Sequence, residues 1–315
     1  MPPLVSILIP CYNAAPWLAA TLDSAFAQTW PHKEIILVDD GSRDDSLAIA
    51  RRYESRGLKI ISRPNSGAAV ARNVALAAST GAWLQFLDAD DLLAPDKIAQ
   101  QLALPAAALT GSYILSASWT RFTQTPGDAD YPPQPLCTDL SPVAFAITKL
   151  ERNAMMHPAA WLVPRALSDR AGPWDESLTL DDDGEYFTRL VLQSQGTRHA
   201  AASLSYYRSG LLGSLSRTKS ERAWASAFRS LELTVTRLRA SADSPVTRHA
   251  CATALQRYLY EAYPAAAACR SRAAVLVAAL GGSDLSPDGG PKFNFARRLL
   301  GWKLAKRLLL ARSRR

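Results

Sequence analysis

Short apolar runs alternate with amphipathic segments in the amino-terminal third of the chain. The runs that are continuous enough to form buried strands lie at positions 4–9, 34–38, 58–61 and 83–87. The segments between them space their apolar residues as helices do, at about positions 17–27, 42–55 and 68–78. Strands and helices that alternate in this way form right-handed βαβ units. The pattern therefore predicts an α/β fold with helices flanking a mostly parallel sheet.

Polar side chains follow three of these runs, where each strand is expected to end. They form clusters at positions 11–13, 39–42 and 88–91. Because the carboxyl ends of parallel strands border the ligand crevice of an open α/β sheet, we expect all three clusters to lie along one edge. In the second cluster, Ser42 is followed three residues later by Asp45, a spacing that predicts a capping box at the start of the next helix.

The third cluster places three carboxylates directly after an apolar run. If this segment is extended, the side chains of Asp88 and Asp90 point to the same side of the sheet. Crowded carboxylates repel one another unless a cation or a proton intervenes, so the pair favours a hard divalent ion with oxygen ligands. A polar turn before a helix near Pro95 explains the same residues without a ligand, and the motif alone does not separate the two interpretations.

The pattern is mixed beyond residue 91. It predicts a helix at 95–104, strands at 113–119 and 159–163, and a proline-rich loop at 126–142. His157 and Trp161 lie at the second of these strands. They either line an acceptor pocket or pack in the core, and the core is the more usual place for such side chains.

A second acidic cluster, residues 181–185, opens a segment with helical spacing. Acidic residues are favourable at the start of a helix because of the macrodipole. Four acids in five residues exceed what capping requires. The cluster therefore also predicts a carboxylate with a raised pKa that is ready to accept a proton.

The remainder of the chain is rich in alanine and leucine and predicts two or three helices between residues 221 and 280, with breaks at 241–245 and near Pro264. A glycine-rich linker follows at 281–291. We therefore divide the chain into an α/β domain at 1–217, a helical extension at 218–290 and a tail at 291–315.

The formal net charge of +8 is confined to this tail. From Pro291 onward there are nine basic residues and no acidic ones, whereas the preceding residues carry 27 basic and 28 acidic side chains. Apolar residues such as Phe295 and Trp302 interleave with the charges, and a helical projection does not separate two faces. The aliphatic stems of Lys and Arg can lie along apolar lipid while their charged ends reach the headgroups, so the tail is suited to an anionic membrane leaflet. A solubilising or nucleic-acid-attracting tail is the alternative. The near-neutral body argues against a nucleic-acid partner.

Composition and cysteine spacing limit the classes of protein to which the chain can belong. A chain of 315 residues that is 48% hydrophobic and 20% charged can bury a large core. Its four cysteines show neither metal-ligand nor disulfide-framework spacing, which favours ordinary thiols in a reducing compartment. No basic leader precedes the first strand, and no apolar stretch reaches the roughly 18 residues that a spanning helix needs. We expect a cytoplasmic protein that is soluble or peripheral at the inner face of the plasma membrane.

Five short motifs occur along the chain in a recognisable order. They are Pro10-Cys11-Tyr12-Asn13, Asp39-Asp40-Gly41-Ser42, Asn65-Ser66-Gly67 with Arg72-Asn73, Asp88-Ala89-Asp90-Asp91, and Asp182-Asp183 with Glu185 and Arg189. Each is weak alone, but their order resembles that of the family 2 glycosyltransferases of GT-A fold over about residues 4–217. The resemblance implies a Rossmann-like, mixed sheet. It also implies transfer of a hexose-type sugar from a nucleoside-diphosphate donor to an acceptor hydroxyl, with inversion at the anomeric carbon.

The resemblance also implies roles for individual residues. The positions that match donor-binding residues are Pro10, Tyr12, Asn13, Asp39, Asp40, Arg72 and Asp88. Asp90 matches a ligand of Mn²⁺ or Mg²⁺, and Asp183 matches the base that deprotonates the acceptor. The residues expected on the acceptor side or in support are Asp182, Glu185, His157 and Trp161. Asp182 stands where the family more often has Glu, and Gly184 replaces a usually bulky residue, so acceptor recognition stays open.

Family habit implies a saccharide or lipid-linked acceptor in the synthesis of a cell-surface or extracellular polysaccharide or of a glycolipid. Two other classes compete with this one. A nucleotidyltransferase of related fold would carry a glycine-rich, basic phosphate loop after the first strand, and residues 10–15 have neither feature. A nucleotide-sugar-binding protein without turnover is the other alternative, and the presence of both Asp90 and Asp183 argues against it.

Overall fold

The computed structural model describes residues 2–128, 132, 134–210 and 220–312. A single sheet forms its centre. The strands, numbered in chain order, are β1 (Val5–Cys11), β2 (Lys33–Asp39), β3 (Leu58–Ser62), β4 (Trp83–Phe86), β5 (Leu92–Leu93), β6 (Ile114–Phe122), β7 (Trp161–Pro164) and β8 (Thr197–Arg208). They lie in the order β3-β2-β1-β4-β7-β6-β8-β5. The neighbouring strands β3, β2, β1 and β4 are parallel to one another, and β6 is parallel to β8. Strand β7 is antiparallel to both of its neighbours, β4 and β6, and β5 is antiparallel to β8. The predicted mixed, mostly parallel sheet is confirmed.

Helices flank the sheet and continue beyond it. Those of the α/β region are α1 (Ala15–Phe26), α2 (Ser46–Arg51), α3 (Ala68–Ala77), α4 (Lys97–Leu102), α5 (Pro142–Arg152), α6 (Arg165–Ala171) and α7 (Asp182–Leu192). The carboxyl-terminal helices are α8 (Glu221–Ser241), α9 (Pro245–Ala262), α10 (Ala267–Ala279) and α11 (Pro291–Arg312). The predicted breaks between these last helices, at 241–245 and near Pro264, are confirmed. None of the helices in the described part of the chain is long and apolar enough to cross a bilayer.

The four amino-terminal strands form where the apolar runs predict them. All seven residues of β1 are buried, because β2 and β4 pair with its two edges and helices cover both faces of the sheet. Cys11, the last residue of β1, is in register with Asp39, the last residue of β2. The clusters at 11–13 and 39–42 therefore lie side by side at one edge of the sheet, as predicted.

The predicted capping box at Ser42 is wrong, and the helix predicted at 42–55 is too long at both ends. Helix α2 begins at Ser46, whose backbone N–H donates to the carboxylate of Asp44 over 3.0 Å. The hydroxyl of Ser42 instead accepts a hydrogen bond from the backbone N–H of Asn13 over 3.0 Å. The sequence spacing was compatible with a cap, but the loop after β1 uses the same hydroxyl, so a contact between distant residues replaces the local one.

The predicted extended segment at Asp88 and Asp90 is also wrong. Strand β4 ends at Phe86, and residues 88–91 form a turn in which the backbone N–H of Asp91 donates to the carbonyl of Asp88 over 3.0 Å. Neighbouring carboxylates in a turn do not alternate as they do in a strand. The three side chains consequently have three different sets of contacts.

The helical extension shares a core with the α/β region. Ala146 and Leu150 of α5 are buried against the apolar side chains of α8 to α10, such as Leu238 and Leu255. The boundary predicted between residues 217 and 218 lies outside the described residues. Because α5 and α8 bury the same apolar cluster, the described part of the extension packs as one body with the sheet and its helices.

Candidate active site

Two loops meet at the carboxyl ends of β1 and β2. Asp39 is buried there, and its carboxylate accepts hydrogen bonds from the Ser62 hydroxyl over 3.2 Å and from the Ser42 backbone N–H over 3.3 Å. Asn13 has a positive φ of 50°, and its side-chain oxygen accepts from the backbone N–H of Arg43 over 2.8 Å. These bonds fix the predicted donor positions 13 and 39 next to each other.

Tyr12 and Pro10 belong to the same rim but differ in exposure. Pro10 is buried within β1, so it shapes the strand rather than a surface. The ring of Tyr12 is 47% exposed directly after the strand. An exposed aromatic ring at the mouth of a crevice is suited to stacking against a flat ligand such as a nucleobase.

Asp40 supports the rim instead of facing it. Its carboxylate is buried and accepts hydrogen bonds from the backbone N–H groups of Ser66 and Gly67 over 3.0 and 2.8 Å. Arg63 forms an ion pair with it over 3.4 Å. The predicted donor-binding position 40 therefore holds the 63–67 loop, which leads into α3 and so sets where that helix begins.

Arg72 of α3 joins the two acidic clusters of the sequence. Its guanidinium donates to Asp88 Oδ1 over 2.8 Å and to Asp182 Oδ2 over 2.6 Å. The same group lies 4.5 Å from the ring centroid of Trp174, which stacks on Tyr186. The Nε atom of Arg72 is buried and has no hydrogen-bond partner among the described residues. The predicted sites at 88–91 and 181–185 thus lie on either side of the Arg72 guanidinium, and we call the region between them the cleft.

Asp90 lies in the turn between Asp88 and Asp91. Burial raises the pKa of its carboxyl to about 8, and the negative charges of Asp91 and Asp88 act in the same direction. Such a carboxylate gains from a bound cation, because the cation offsets both the burial and the repulsion. The site therefore favours a ligand of positive charge at Asp90.

In the described part of the chain, no three Asp, Glu, His or Cys side chains converge to hold a metal ion by themselves. Mg²⁺ is commonly held by one or two carboxylates together with substrate phosphates, so a complete protein cage is not required. The oxygen donors of Asp90 and Asp88 and the raised pKa of Asp90 fit a hard divalent ion of this kind.

Asp91 faces away from this position and into the core. Its Oδ1 accepts from the backbone N–H of Arg208 over 2.8 Å, and its Oδ2 lies 2.9 Å from Nδ1 of His157. The other ring nitrogen of His157 lies 2.9 Å from the Ser205 hydroxyl. Burial lowers the pKa of His157 to about 3, so the imidazole is neutral at physiological pH. This network ties the turn at 88–91 to β8.

His157 and Trp161 have the core positions that the sequence analysis gave as the more usual alternative. Each is only 1% exposed, and Trp161 stacks on Phe187 with ring centroids 5.4 Å apart. Neither side chain forms an acceptor-facing surface. His157 nevertheless supports the site indirectly through its contact with Asp91.

Asp183 lies in the first turn of α7. Burial raises the pKa of its carboxyl to about 7, and the neighbouring charges of Asp182 and Asp181 raise it further, whereas Arg72 and Lys149 act against them. A carboxyl group that titrates near neutral pH can accept a proton during a reaction, which is the property required of a general base. The role of base that the resemblance implies for Asp183 stays a prediction, and this raised pKa is compatible with it.

The neighbours of Asp183 are committed to structural contacts. Asp182 is paired with Arg72, as described above. Glu185 is 1% exposed and binds Arg189 through both carboxylate oxygens over 2.9 and 3.0 Å, while Arg237 of α8 donates to it as well. Because both of its carboxylate oxygens are used in contacts with arginines, Glu185 anchors α7.

Sequence reasoning missed Trp174, which lies beneath Arg72. Asn73, the second residue of the Arg72-Asn73 motif, holds it by accepting from the backbone N–H of Trp174 over 2.8 Å and donating to its carbonyl over 3.0 Å. The motif therefore contributes one residue to the cleft and one to the loop that supports it. No local signal marked Trp174, because its role depends on a contact about a hundred residues away in the sequence.

Comparison with known proteins agrees with this geometry. Residues 6–115 match the family model described as glycosyl transferase family 2. A putative teichuronic acid biosynthesis glycosyltransferase, TuaG of Bacillus subtilis, is 37% identical over 140 residues, which cover 41% of this chain and 56% of that protein. The chain spans little more than half the length of the curated relatives that it matches.

Solved structures share the fold at low sequence identity. Residues 1–349 of Staphylococcus aureus TarS, crystallised with UDP-GlcNAc, superpose with a TM-score of 0.65 at 19% identity, covering 81% of this chain and 72% of that one. The mannosyltransferase PcManGT of Pyrobaculum calidifontis, in complex with GDP-Man and Mn²⁺, gives a TM-score of 0.53 at 18% identity, covering 97% of this chain and 86% of that one. The fold expected from the sequence is thereby confirmed as that of the GT-A glycosyltransferases.

Proposed function

We propose that the chain transfers a sugar from a nucleoside-diphosphate donor to an acceptor hydroxyl with inversion of the anomeric carbon, as the match of residues 6–115 to glycosyl transferase family 2 supports. The observation that carries the proposal is the bridge from Asp88 through Arg72 to Asp182. It brings the turn that bears Asp90 and the helix start that bears Asp183 to one cleft. A transfer reaction needs such a pair of sites, one for the leaving group and one for the nucleophile.

On the acceptor side, Asp183 takes the proton of the incoming hydroxyl. The acceptor oxygen then attacks the anomeric carbon as the bond from that carbon to the diphosphate oxygen breaks. In a single displacement the base and the leaving group stand on opposite faces of the sugar, so the configuration inverts. The raised pKa of Asp183 suits this role, because a base with a pKa near the working pH combines availability with sufficient basicity.

On the donor side, the rim made by Tyr12, Asn13 and Asp39 accepts the nucleoside, and Arg72 lies where it can donate to the diphosphate. Asp90, with Asp88 beside it, would hold Mn²⁺ or Mg²⁺. When bound, the ion would act as a Lewis acid that stabilises the negative charge of the departing diphosphate. Support comes from the oxygen donor set and the raised pKa at Asp90. The solved neighbour PcManGT is described in complex with Mn²⁺ and GDP-Man.

A donor screen tests the proposed function. Purified protein is incubated with Mn²⁺ and a panel of nucleotide sugars that includes UDP-GlcNAc and GDP-mannose, and release of nucleoside diphosphate is measured alongside donor-induced thermal shifts. We expect metal-dependent release from at least one donor. Pyrophosphate release from a nucleoside triphosphate and a sugar phosphate would indicate a nucleotidyltransferase instead. Donor binding without any release would indicate a binding protein without turnover.

The pH dependence should follow the carboxyl group of Asp183. Its pKa is raised to about 7, so the base is protonated below that pH and available above it. We expect kcat/KM for donor turnover, measured with saturating Mn²⁺ from about pH 5 to pH 9, to rise to a plateau above about pH 7. A profile that is already flat at about pH 5 would contradict this assignment, since an unperturbed Asp titrates near 3.9.

We further infer that α11 associates with an anionic membrane surface, where a saccharide or lipid-linked acceptor would be found. Its inner side packs on α9 and the loop after it, with Trp302 5.0 Å from the rings of Tyr260 and Tyr263. Large apolar side chains on the helix remain exposed, namely Phe295, Leu299, Leu300, Leu304 and Leu308. The tail carries no acidic residue, so its charge is complementary to anionic lipid headgroups.

The kink in α11 allows both of its halves to contribute exposed leucines. Gly301 has a φ of 74° and interrupts the helix, which explains why a straight helical projection of the sequence did not separate two faces. The four free cysteines of the chain support a reducing compartment, so we place the reaction on the cytoplasmic side.

Replacing Leu299 and Leu304 by Asp should release the protein from vesicles. Each leucine contributes on the order of 1 kcal/mol of binding free energy when its exposed surface enters the lipid interface, and the new aspartates repel anionic headgroups. We therefore expect at least about tenfold weaker co-sedimentation with phosphatidylserine vesicles. Val275→Asp on α10 is the matched control, because Val275 is as exposed as Leu299, at 68%. Equal co-sedimentation of the double variant, the control and the wild type would remove this role from α11.

A further inference from the structure

Helix α8 of the extension makes a row of polar contacts with the segment that carries Asp183. The hydroxyl of Ser226 accepts from the backbone N–H groups of Thr179 and Leu180 over 2.8 and 2.9 Å, and it donates to the carbonyl of Leu180 over 2.8 Å. A serine hydroxyl has one proton to donate and two lone pairs. Ser226 therefore uses its whole hydrogen-bonding capacity on two successive residues just before α7.

Ser230, one helical turn further along α8, holds the next residue. Its hydroxyl lies 2.9 Å from the carbonyl of Asp181 and 2.6 Å from Oδ2 of the same residue. Asp181 has a positive φ of 60°, a conformation that is uncommon outside glycine. Ser230 is fully buried, so its hydroxyl is fixed and can stabilise this conformation.

The carboxylate of Asp181 folds back over Gly184. A Cβ atom at position 184 would lie 2.1 Å from Asp181 Oδ1 and 2.6 Å from its Cγ, so any larger residue there would force this carboxylate to move. This explains physically why position 184 lacks the bulky residue that the family usually has. Asp181 thus lies against the residue that follows Asp183, on the side of α7 that faces α8.

A third contact from α8 completes the row. Arg237 donates to the buried carboxylate of Glu185. At about 100° per residue, positions 226, 230 and 237 fall within about 40° of one another on the helix. One face of α8 therefore contacts residues on both sides of Asp183, from Thr179 to Glu185.

We propose that α8, through Ser226 and Ser230, positions the segment 179–183 and thereby the carboxylate of Asp183. The inference rests on the role proposed for Asp183 above and makes the helical extension part of the active site. The two serines are positioning residues, since they touch the backbone and the side chain of Asp181 but not the reacting atoms.

The charges around Asp183 give this arrangement a measurable consequence. The groups that face it are Asp181 and Asp182 on its own segment, Arg72 of α3 and Lys149 of α5, whose ammonium donates to the carbonyl of Gly184 over 3.3 Å. Asp88 in the turn after β4 lies across Arg72, and Arg237 of α8 lies on Glu185. Both Asp182 and Asp181 raise the pKa of Asp183, and of these two it is Asp181 that α8 holds in place through Ser230.

The test compares Ser226→Ala, Ser230→Ala and Asp181→Asn with a control on the same helix. Thr236→Ala serves as the control, because Thr236 is exposed and its hydroxyl donates only to Glu232 one turn earlier. Turnover is measured with UDP-GlcNAc or GDP-mannose, whichever the wild type cleaves faster. Deuterium exchange is measured for peptides that cover residues 179–185.

We expect each serine variant to lower kcat by about tenfold while the donor KM changes by less than about twofold, because the base moves but the donor rim does not. Exchange at residues 179–185 should rise in both serine variants and stay unchanged in Thr236→Ala. In Asp181→Asn the acid limb of the pH profile should move to lower pH, since a charge that raises the pKa of Asp183 is removed.

Wild-type kcat and exchange in both serine variants would overturn the inference, as would an unchanged pH profile in Asp181→Asn. These outcomes differ from a failure of the proposed function. If Asp183→Asn itself kept full transfer activity, the role of Asp183 would be wrong, whatever the serine variants do.

Discussion

Asp183→Asn should lose glycosyl transfer by a factor of about 10² to 10⁴ while keeping its affinity for the donor. The amide has nearly the shape of the carboxylate but cannot accept the proton of the acceptor hydroxyl, and general base catalysis contributes a factor of this size. The proposed donor site consists of the rim at Tyr12 and Asp39 and the turn at Asp90, which the substitution leaves in place. The measurement pairs transfer rates with donor-induced thermal shifts.

The control for this prediction is Asp169→Asn, which alters an exposed carboxylate on α6. It should behave as the wild type in both measurements. Full transfer activity in Asp183→Asn would assign the base to Asp182 or Glu185 instead. The contacts make both of these less suitable, because Asp182 is paired with Arg72 and Glu185 with Arg189 and Arg237.

Asp90→Asn should lose the metal dependence of donor binding and lower transfer by on the order of 10² or more. A Lewis acid at the diphosphate contributes several kcal/mol, and the amide is a much weaker ligand for a hard ion. In the wild type, Mn²⁺ with donor should raise the melting temperature, because a ligand that binds only the folded state stabilises it. In the variant we expect this increase to disappear.

The metal-free Asp90→Asn variant should be at least as stable as the metal-free wild type near neutral pH. The folded state raises the pKa of Asp90 to about 8. At a pH above the pKa that Asp90 has in the unfolded chain, the carboxyl group is charged before folding, and folding must protonate it or bury its charge, which costs free energy. The neutral amide removes that cost. Asp96→Asn, which alters the carboxylate directly before α4, serves as the control. An equal Mn²⁺-dependent increase in melting temperature in Asp90→Asn and the wild type would remove Asp90 from the metal site.

The part of the fold that the sequence predicts correctly, and with it the placement of the candidate site residues, depends on strand ends. Apolar runs such as 4–9 and 34–38 define buried parallel strands, and parallel strands end at a common edge. The polar residues that follow them, including Asn13 and Asp39, are consequently brought together by topology alone. The order of the motifs, rather than any single motif, carries the resemblance to glycosyl transferase family 2, whose model matches residues 6–115.

The part that the sequence does not predict depends on contacts between distant segments. Arg72 matches a donor-binding position, but the motif gives no sign of its two ion pairs with residues 16 and 110 positions away. Ser42 satisfied a local capping pattern, yet its hydroxyl is used by Asn13, 29 residues earlier. Local spacing cannot distinguish between such partners, because tertiary packing decides which of them a polar group meets.

Strand β8 illustrates a different limit. Its burial alternates irregularly, and its pairing with β6 shifts register between Ala117 and Ser118. A bulge of this kind breaks the period of two by which a strand is recognised in a sequence. The strand nevertheless carries Arg208, whose backbone N–H donates to Asp91, and Ser205, whose hydroxyl contacts the His157 ring that lies on Asp91. An element without a clear pattern therefore supports the turn that bears Asp90.

The configuration of the released sugar tests the central claim most directly. Donor cleavage with Mn²⁺ is followed by NMR at the anomeric proton, early enough to precede mutarotation, with water or an added saccharide as the acceptor. A single displacement, in which Asp183 activates the acceptor opposite the departing diphosphate, predicts that the first product has the configuration opposite to that of the donor. A first product with the donor's own configuration would contradict the account.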